Sequence, residues 1–397
     1  MRFAPRAETF PAHTPAASQV FTTVLSHGPL TRLEAGRRAG LSPAAVTKAV
    51  RPLLEAGYLV EDAGLPQEEG RPALGRPATL VRVDGTRALF IGVKATGDEL
   101  IAVLTDLCCR VLLARRTPLP DRTPRSVLTS LADLVQELHA HAAGLGAPVL
   151  GLGIAVSGDV DRAEGVVRYS PFLEWRDVPL AELAAATTGL PVTVDHDVRA
   201  LTVAEQWFGA GAGLTDFAVV TVGAGIGCGL VVHGRVVAGA HGVAGEMGHV
   251  TADPAGPPCH CGNRGCVEAI AGDAAILARV SEVAGRQVTD TAEALVLARQ
   301  GLPGVREVYA RAGEAIGRGI ATVANLLGPQ RVIISGEGLA AYDLFAEHIR
   351  DSFTAAAFGS AAQCDVQTRP LPFEEWARGA AAAAIQSFIT SAPTGKG

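Results

Sequence analysis

The sequence predicts an α/β protein in two parts, a small winged helix-turn-helix module followed by a larger body in which strands alternate with helices. Three observations predict it. Residues 29–61 carry two successive sets of helix-start and helix-stop residues. From Ala88 onward the apolar pattern changes to short strands separated by helices. The stretch CHCGNRGC at 259–266 then gathers three of the seven cysteines of a 397-residue chain into eight positions.

Composition bounds the reading. With 48% hydrophobic and 19% charged residues the chain is an ordinary globular protein with a large core. The N-terminal MRFAPRAETFPAHTPAASQV has no apolar run behind its arginines, and no later stretch offers the roughly 18 apolar residues that a membrane span needs. We therefore expect a cytoplasmic protein without membrane contact, in which clustered cysteines bind metal in preference to forming disulfides. The formal net charge is −6, but it is segregated. Met1 to Gly85 holds ten Arg and Lys against eight Asp and Glu, and Val20 to Val60 five against two. A mildly basic module on an acidic body suits a contact with duplex DNA.

Within PLTRLEAGRRAGLSPAAVTKAVRPLLEAGYLVE (29–61), Thr31 with Glu34 reads as a capping box and Gly40 as a helix stop. Ser42 and Pro43 read as the N-cap and first position of a second helix. On that helix Val46, Val50, Leu53 and Leu54 form one apolar face, leaving Ala44, Thr47, Lys48 and Arg51 outward. The pattern fits a helix-turn-helix that offers its second helix to the major groove, and equally any small helical bundle. Gly57 to Glu61 and Thr79 to Val83 read as paired strands, a wing that favours the DNA reading. Between them, Pro66 to Pro77 contains GRP twice; Arg71 and Arg76 could enter a minor groove, or the segment is a linker.

The body opens with LFIGVK, ELIAVLTDL and CRVLLARR (89–94, 99–107, 109–116), read as successive antiparallel strands. A helix follows at about 124–143. The strand VLGLGIAVSGDVD (149–161), the strand VTVDHDVRA (192–200) leading into a helix, and DFAVVTVGAGIGCGLVVHG (216–234) are expected to complete one mixed-sheet lobe. In the last of these, Gly223, Gly225 and Gly227 form a turn whose bare backbone could approach a phosphate. A second lobe is expected from near Ser335, where RVIISGEGL repeats the strand-then-glycine form.

His249 precedes Cys259 by ten positions, and with Cys259, Cys261 and Cys266 it makes a closed donor set for structural, tetrahedral Zn²⁺. The loop is too polar and glycine-rich to fold unaided. His260, between two ligands, reads as a solvent-facing bystander. Cys108, Cys109, Cys228 and Cys364 read as packing residues.

Taken in order, the helix-turn-helix, VDHDVRA, VGAGIGCG, AGEMGH and CHCGNRGCVEA resemble the ROK family of sugar kinases and sugar-responsive repressors, from about Val20 to Ile389. The helix-turn-helix selects the repressor branch. The resemblance implies an actin-like, two-lobed fold of the sugar kinase and Hsp70 type over 85–390, behind a DNA-binding domain with its GRP linker over 16–84. It implies that Asp197 stands at the family's catalytic-base position and that His196, Asp197, Glu246, His249 and Glu268 line a sugar, with His249 also serving the zinc. Carboxylates and imidazoles on a metal-fixed loop suit the directional hydrogen bonds of a sugar.

The departures are equally specific. Aligned on LFIGV, the Asp of the family's Asp-x-Gly-x-Thr turn is Lys94, and the Thr of its phosphate turn is Ala224. Both are groups that magnesium-ATP chemistry uses. The Asn before the base is His196, and the Asn of a Ser-Pro-Asn loop is Phe172. The expectation is a sugar-responsive transcriptional regulator, a repressor with a degenerate phosphate loop at Gly223, Gly225 and Gly227. It would bind a palindromic operator as a homodimer or homotetramer through Arg32, Ser42, Ala44, Thr47, Lys48, Arg51, Arg71 and Arg76. The alternatives are an active ATP-dependent sugar kinase with an accessory DNA-binding domain, and a DNA-binding protein with a vestigial cleft.

Overall fold

The computed structural model describes residues 9–11, 14–62 and 79–390. They fall into two compact units, the first reaching Gly213 and resuming at Trp376, the second running from Leu214 to Glu375.

The first unit begins with the helix-turn-helix. Helix α1 (Pro15–His27) is capped by Thr14, α2 (Arg32–Ala39) by Thr31 and α3 (Pro43–Glu55) by Ser42; each cap oxygen accepts a backbone N–H of the first turn. The capping box is half-formed, because Glu34 reaches Arg38 instead of back to its cap. Gly40 closes α2 in the left-handed conformation. Val46, Ala49, Val50 and Leu53 bury the inner face of α3, with Leu54 half-buried. The wing strands β2 (Leu59–Asp62) and β3 (Leu80–Val83) pair antiparallel as expected. A two-residue strand, β1 (Leu30–Thr31), joins β3 from the other side, a pairing too short to leave a sequence pattern.

The sheet that follows holds β4 (Leu89–Ala95), β5 (Glu99–Asp106), β6 (Val111–Pro118), β7 (Val149–Val156) and β11 (Val192–His196), in the order β11-β7-β4-β5-β6. Strands β4, β7 and β11 are parallel, and β4, β5 and β6 form an antiparallel meander. A small sheet of β8 (Asp159–Asp161), β9 (Val166–Ser170) and β10 (Trp175–Val178) lies between β7 and β11 in sequence. Helices α4 (Pro124–Leu145), α5 (Leu180–Thr188) and α6 (Asp197–Phe208) complete this part.

The second unit repeats the plan. Strands β12 (Phe217–Val222), β13 (Ile226–Val232) and β14 (Arg235–Val236) are antiparallel, and β15 (Arg331–Ser335) and β16 (Asp365–Thr368) add in parallel beyond β12. Its helices are α7 (Val267–Ala271), α8 (Asp273–Ala284), α9 (Thr291–Arg299), α10 (Val305–Leu327) and α11 (Tyr342–Ala356). The boundary therefore lies between Gly213 and Leu214, not near Ser335, and residues 216–234 open the second sheet instead of completing the first. Ser335 ends a strand whose partner is β12; such a long-range parallel pairing has no local signature in sequence.

From there α12 (Glu374–Thr390) returns to the first unit. It lies so close on the sheet that a Cβ on Gly92 would sit 2.0 Å from the Ala377 carbonyl oxygen, and one on Gly153 1.8 Å from that of Ala380. The alanine run at 380–384 provides the matching flat face. At its far end Phe388 stacks edge-on with Phe10 (5.5 Å between centroids) and Phe90 (5.5 Å), while Phe10 meets Phe21 and Tyr58 of the N-terminal module. Ser18 of α1 donates to the carbonyl of Ile389, and α1 also rests against α6. The helix-turn-helix is thus packed onto the first sheet's helices.

Candidate functional site

In the first unit the chemistry gathers where β11 becomes α6. Asp197 is the first residue of α6, and the Val198 N–H donates to its Oδ1 at 2.7 Å. Its Oδ2 accepts from the Lys94 ammonium and from Ser157, and Lys94 also donates to Ser157 at 2.8 Å. Lys94 and Asp197 are both buried. Burial alone would raise the Asp197 carboxyl, but the adjacent Lys94 and His196 and the hydrogen bonds from Lys94 and Ser157 hold it well below the usual carboxylate range. His196 lies 3.3 Å from Asp197 and is a quarter exposed. Phe172 is exposed.

Beneath this turn is a network that the sequence reading missed. Buried Asp195 accepts from Arg199, one helical turn on, and from Arg162 at 2.8 Å; Arg162 also donates to Gln386 on α12 at 2.9 Å. The Asp195/Arg199 spacing was a visible cue, whereas Arg162, Ser157 and Gln386 arrive from distant segments.

In the second unit His249, Cys259, Cys261 and Cys266 converge, with ligand atoms all within 4.8 Å of one another. The His249 Nδ1 to Cys259 Sγ distance is 3.6 Å and the Cys261 to Cys266 Sγ distance 3.7 Å. Tetrahedral bonds of about 2.3 Å to sulfur and about 2.0 Å to nitrogen put sulfurs about 3.7 Å and a nitrogen–sulfur pair about 3.5 Å apart. The donors therefore fit a tetrahedral metal ion. The knuckle is built by backbone: Cys259 N–H donates to the Asn263 carbonyl and Gly262 N–H to that of Cys259, with Gly262 at φ +94. His260 is exposed as expected, yet it is no bystander, because its Nε2 meets Glu268 Oε1 at 2.8 Å. Glu246 is exposed, just before the short turn that carries His249.

The glycine turn joins β12 to β13 in the same unit. Its Ile226 N–H donates to Glu268 Oε2 at 3.0 Å and its Ala224 N–H to Glu337 Oε1 at 3.2 Å. Glu337 had no role in the sequence reading. Gly227 lies past the turn, inside β13.

On α3, Ala44, Thr47, Lys48 and Arg51 are exposed, as their spacing predicts. Thr47 donates to the Pro43 carbonyl, leaving its oxygen free to accept, and Ser42 is engaged as the cap. Arg51 pairs with Glu55 at 2.8 Å, fully in solvent, and Arg32 pairs with Glu61 of the wing at 2.6 Å. Arg71 and Arg76 lie outside the described residues. Among those described, no helix is long and apolar enough to cross a membrane.

A family model described as "ROK family" matches residues 90–387. The DNA-binding transcriptional dual regulator NagC of Escherichia coli is 30% identical over 329 residues, covering 81% of this chain and 80% of NagC. A glucokinase of Thermotoga maritima is 35% identical over 262 residues, covering 62% of this chain and 81% of that enzyme. Among solved structures, a ROK family transcriptional regulator described as a homologue of the E. coli MLC protein superposes with a TM-score of 0.78 at 26% identity, covering 94% of this chain and 97% of its own.

Proposed function

The chain belongs to the ROK family, and on that premise we propose that it is a sugar-responsive DNA-binding transcriptional regulator, a repressor of carbohydrate genes. The observation that carries this reading is the coverage: the regulator structure spans 94% of the chain, its helix-turn-helix included, whereas the glucokinase spans 62%.

In this reading α3 enters the major groove, Thr47 and Ala44 meet base edges, Lys48 meets bases or phosphates, and Ser42, Arg51 and the wing-braced Arg32 meet phosphates. Arg71 and Arg76 extend the contact. The sugar-facing residues in this reading are His196, Asp197, Glu246, His249 and Glu268. The metal is zinc and its role structural: it fixes the loop that carries Glu268, with His249, Cys259, Cys261 and Cys266 as ligands. The protein works in the cytoplasm as a homodimer or homotetramer on a palindromic operator, since a two-fold axis in the protein calls for one in its DNA.

Phosphoryl transfer is absent. A base must be free to take the sugar's hydroxyl proton, and the Asp197 carboxylate is neutralised and held by Lys94 and Ser157. Three measurements test the proposal. Sugars and sugar phosphates are screened by thermal shift, and a stabilising one is added to the protein bound to DNA selected from a random pool. We expect a palindromic selected sequence and a sugar that alters its occupancy. No selected sequence, no sugar effect, or ADP released from ATP, magnesium and a sugar would each refute it.

A further inference from the structure

The glycine turn at 223–225 has the form of an anion seat, with bare backbone and N–H groups that no strand uses. Those groups are already taken. Ala224 N–H donates to Glu337 and Ile226 N–H to Glu268. The glycines are what let the carboxylates in: a Cβ on Gly223 would lie 2.3 Å from the Glu337 carboxyl and one on Gly225 2.8 Å from Glu268 Oε2. The two acids arrive from different parts of the fold. Glu268 lies in α7, and Glu337 sits just past β15, where Gly336 at φ +100 and Gly338 pack against Val222 and bring the short turn under the loop. A third acid, Asp273, opens α8 and donates its N–H to the Gly223 carbonyl.

We propose that Glu337 is a built-in anion that occupies the phosphate seat of the glycine turn and excludes nucleotide phosphates from it. A phosphate entering there must displace the Glu337 carboxylate from Ala224 and approach Glu268 and Asp273 as like charges. The loss of the hydroxyl at Ala224 removes one attractive contact, whereas Glu337 adds a repulsive one. Exclusion of this kind is specific for charge: an uncharged nucleoside is not turned away by it.

The inference rests on the reading that this chain does not transfer phosphate. Its test reads nucleotide binding alone, so it can fail while the DNA and sugar responses stand. Full-length protein, wild type and the variants Glu337→Ala and Glu337→Gln, is titrated calorimetrically with tripolyphosphate, with a non-hydrolysable ATP analogue and with adenosine. Glu337 is exposed, so both variants are expected to melt as the wild type does. Glu337→Ala should bind tripolyphosphate and the ATP analogue about tenfold or more tightly than wild type, with adenosine unchanged. Glu337→Gln keeps an acceptor for Ala224 without the charge and should gain less than the alanine variant but more than nothing. Equal affinity of wild type and Glu337→Ala for tripolyphosphate would overturn the proposal. So would a gain for adenosine as large as that for the ATP analogue.

Discussion

The Lys94 ammonium donates to the Asp197 carboxylate, and Ser157 bridges the two. This pair crosses from β4 to the first residue of α6 and is closed off from solvent. Each partner neutralises the other, so neither can be lost alone without leaving a buried charge.

Lys94→Met should therefore cost about 3–5 kcal/mol of stability at neutral pH. The cost should shrink toward acid. In the wild type Asp197 titrates below its unfolded value, so its contribution is present above about pH 4 and fades as pH falls through the folded value. Without Lys94, burial pushes the carboxyl up and protonation relieves the strain. Melting both proteins between pH 4.5 and 7.5 checks this; a gap that does not narrow toward acid would count against the pairing.

Cys261→Ser should lose metal and thermal stability together. Cys261 is exposed, so its side chain contributes little packing and the variant isolates the metal's effect. Metal analysis of purified wild type should give one zinc per chain. Unchanged melting of the metal-free variant would show that the loop folds without an ion.

Arg51→Ala should weaken binding to operator and random DNA alike and make the salt dependence shallower by about one unit of slope. Its ion pair with Glu55 is exposed and screened by solvent, too weak to keep it from a phosphate. Thr47→Ala should cost about 1–3 kcal/mol on the operator and almost nothing on random DNA. Equal losses on both DNAs for both variants would move the reading helix elsewhere.

Asp273→Asn should stabilise the protein at pH 7.5 and leave it unchanged well below pH 4. Burial and then Glu337 raise the Asp273 carboxyl to about 6. The folded state therefore holds its proton to higher pH than the unfolded chain, and stability falls as pH rises from about 4 to about 6. A paired melting series reads the difference, and a benefit that did not grow across that interval would contradict the assignment.

How much of this was legible in sequence divides by range. The caps at Thr31 and Ser42 and the α3 face are encoded within a few residues, and the structure has them in place; the wing strands pair and the four candidate metal ligands converge over longer stretches. The two-unit boundary was misread because parallel pairing of β15 with β12 is set by the whole fold. The Lys94 substitution was visible as a missing acid, but its partner was not, since 103 residues separate it from Asp197. Glu337 was invisible for the same reason: a lone carboxylate after a strand carries no pattern until the glycine turn is beside it. His260 was dismissed for being exposed, though exposure does not preclude a bond to Glu268.

The junction of Phe388 and Ile389 with the N-terminal module has a consequence during synthesis. Ser18 meets a residue 371 positions later, and the ring of Phe10 packs on that of Phe388. A ribosome makes α12 long after α1, so a nascent chain, or one cut short before α12, presents its helix-turn-helix without the surface on which it rests. Stop codons upstream of α12 should thus yield chains whose reading heads are untethered from the sheet, and proteases that clear unfinished proteins would find the module unshielded.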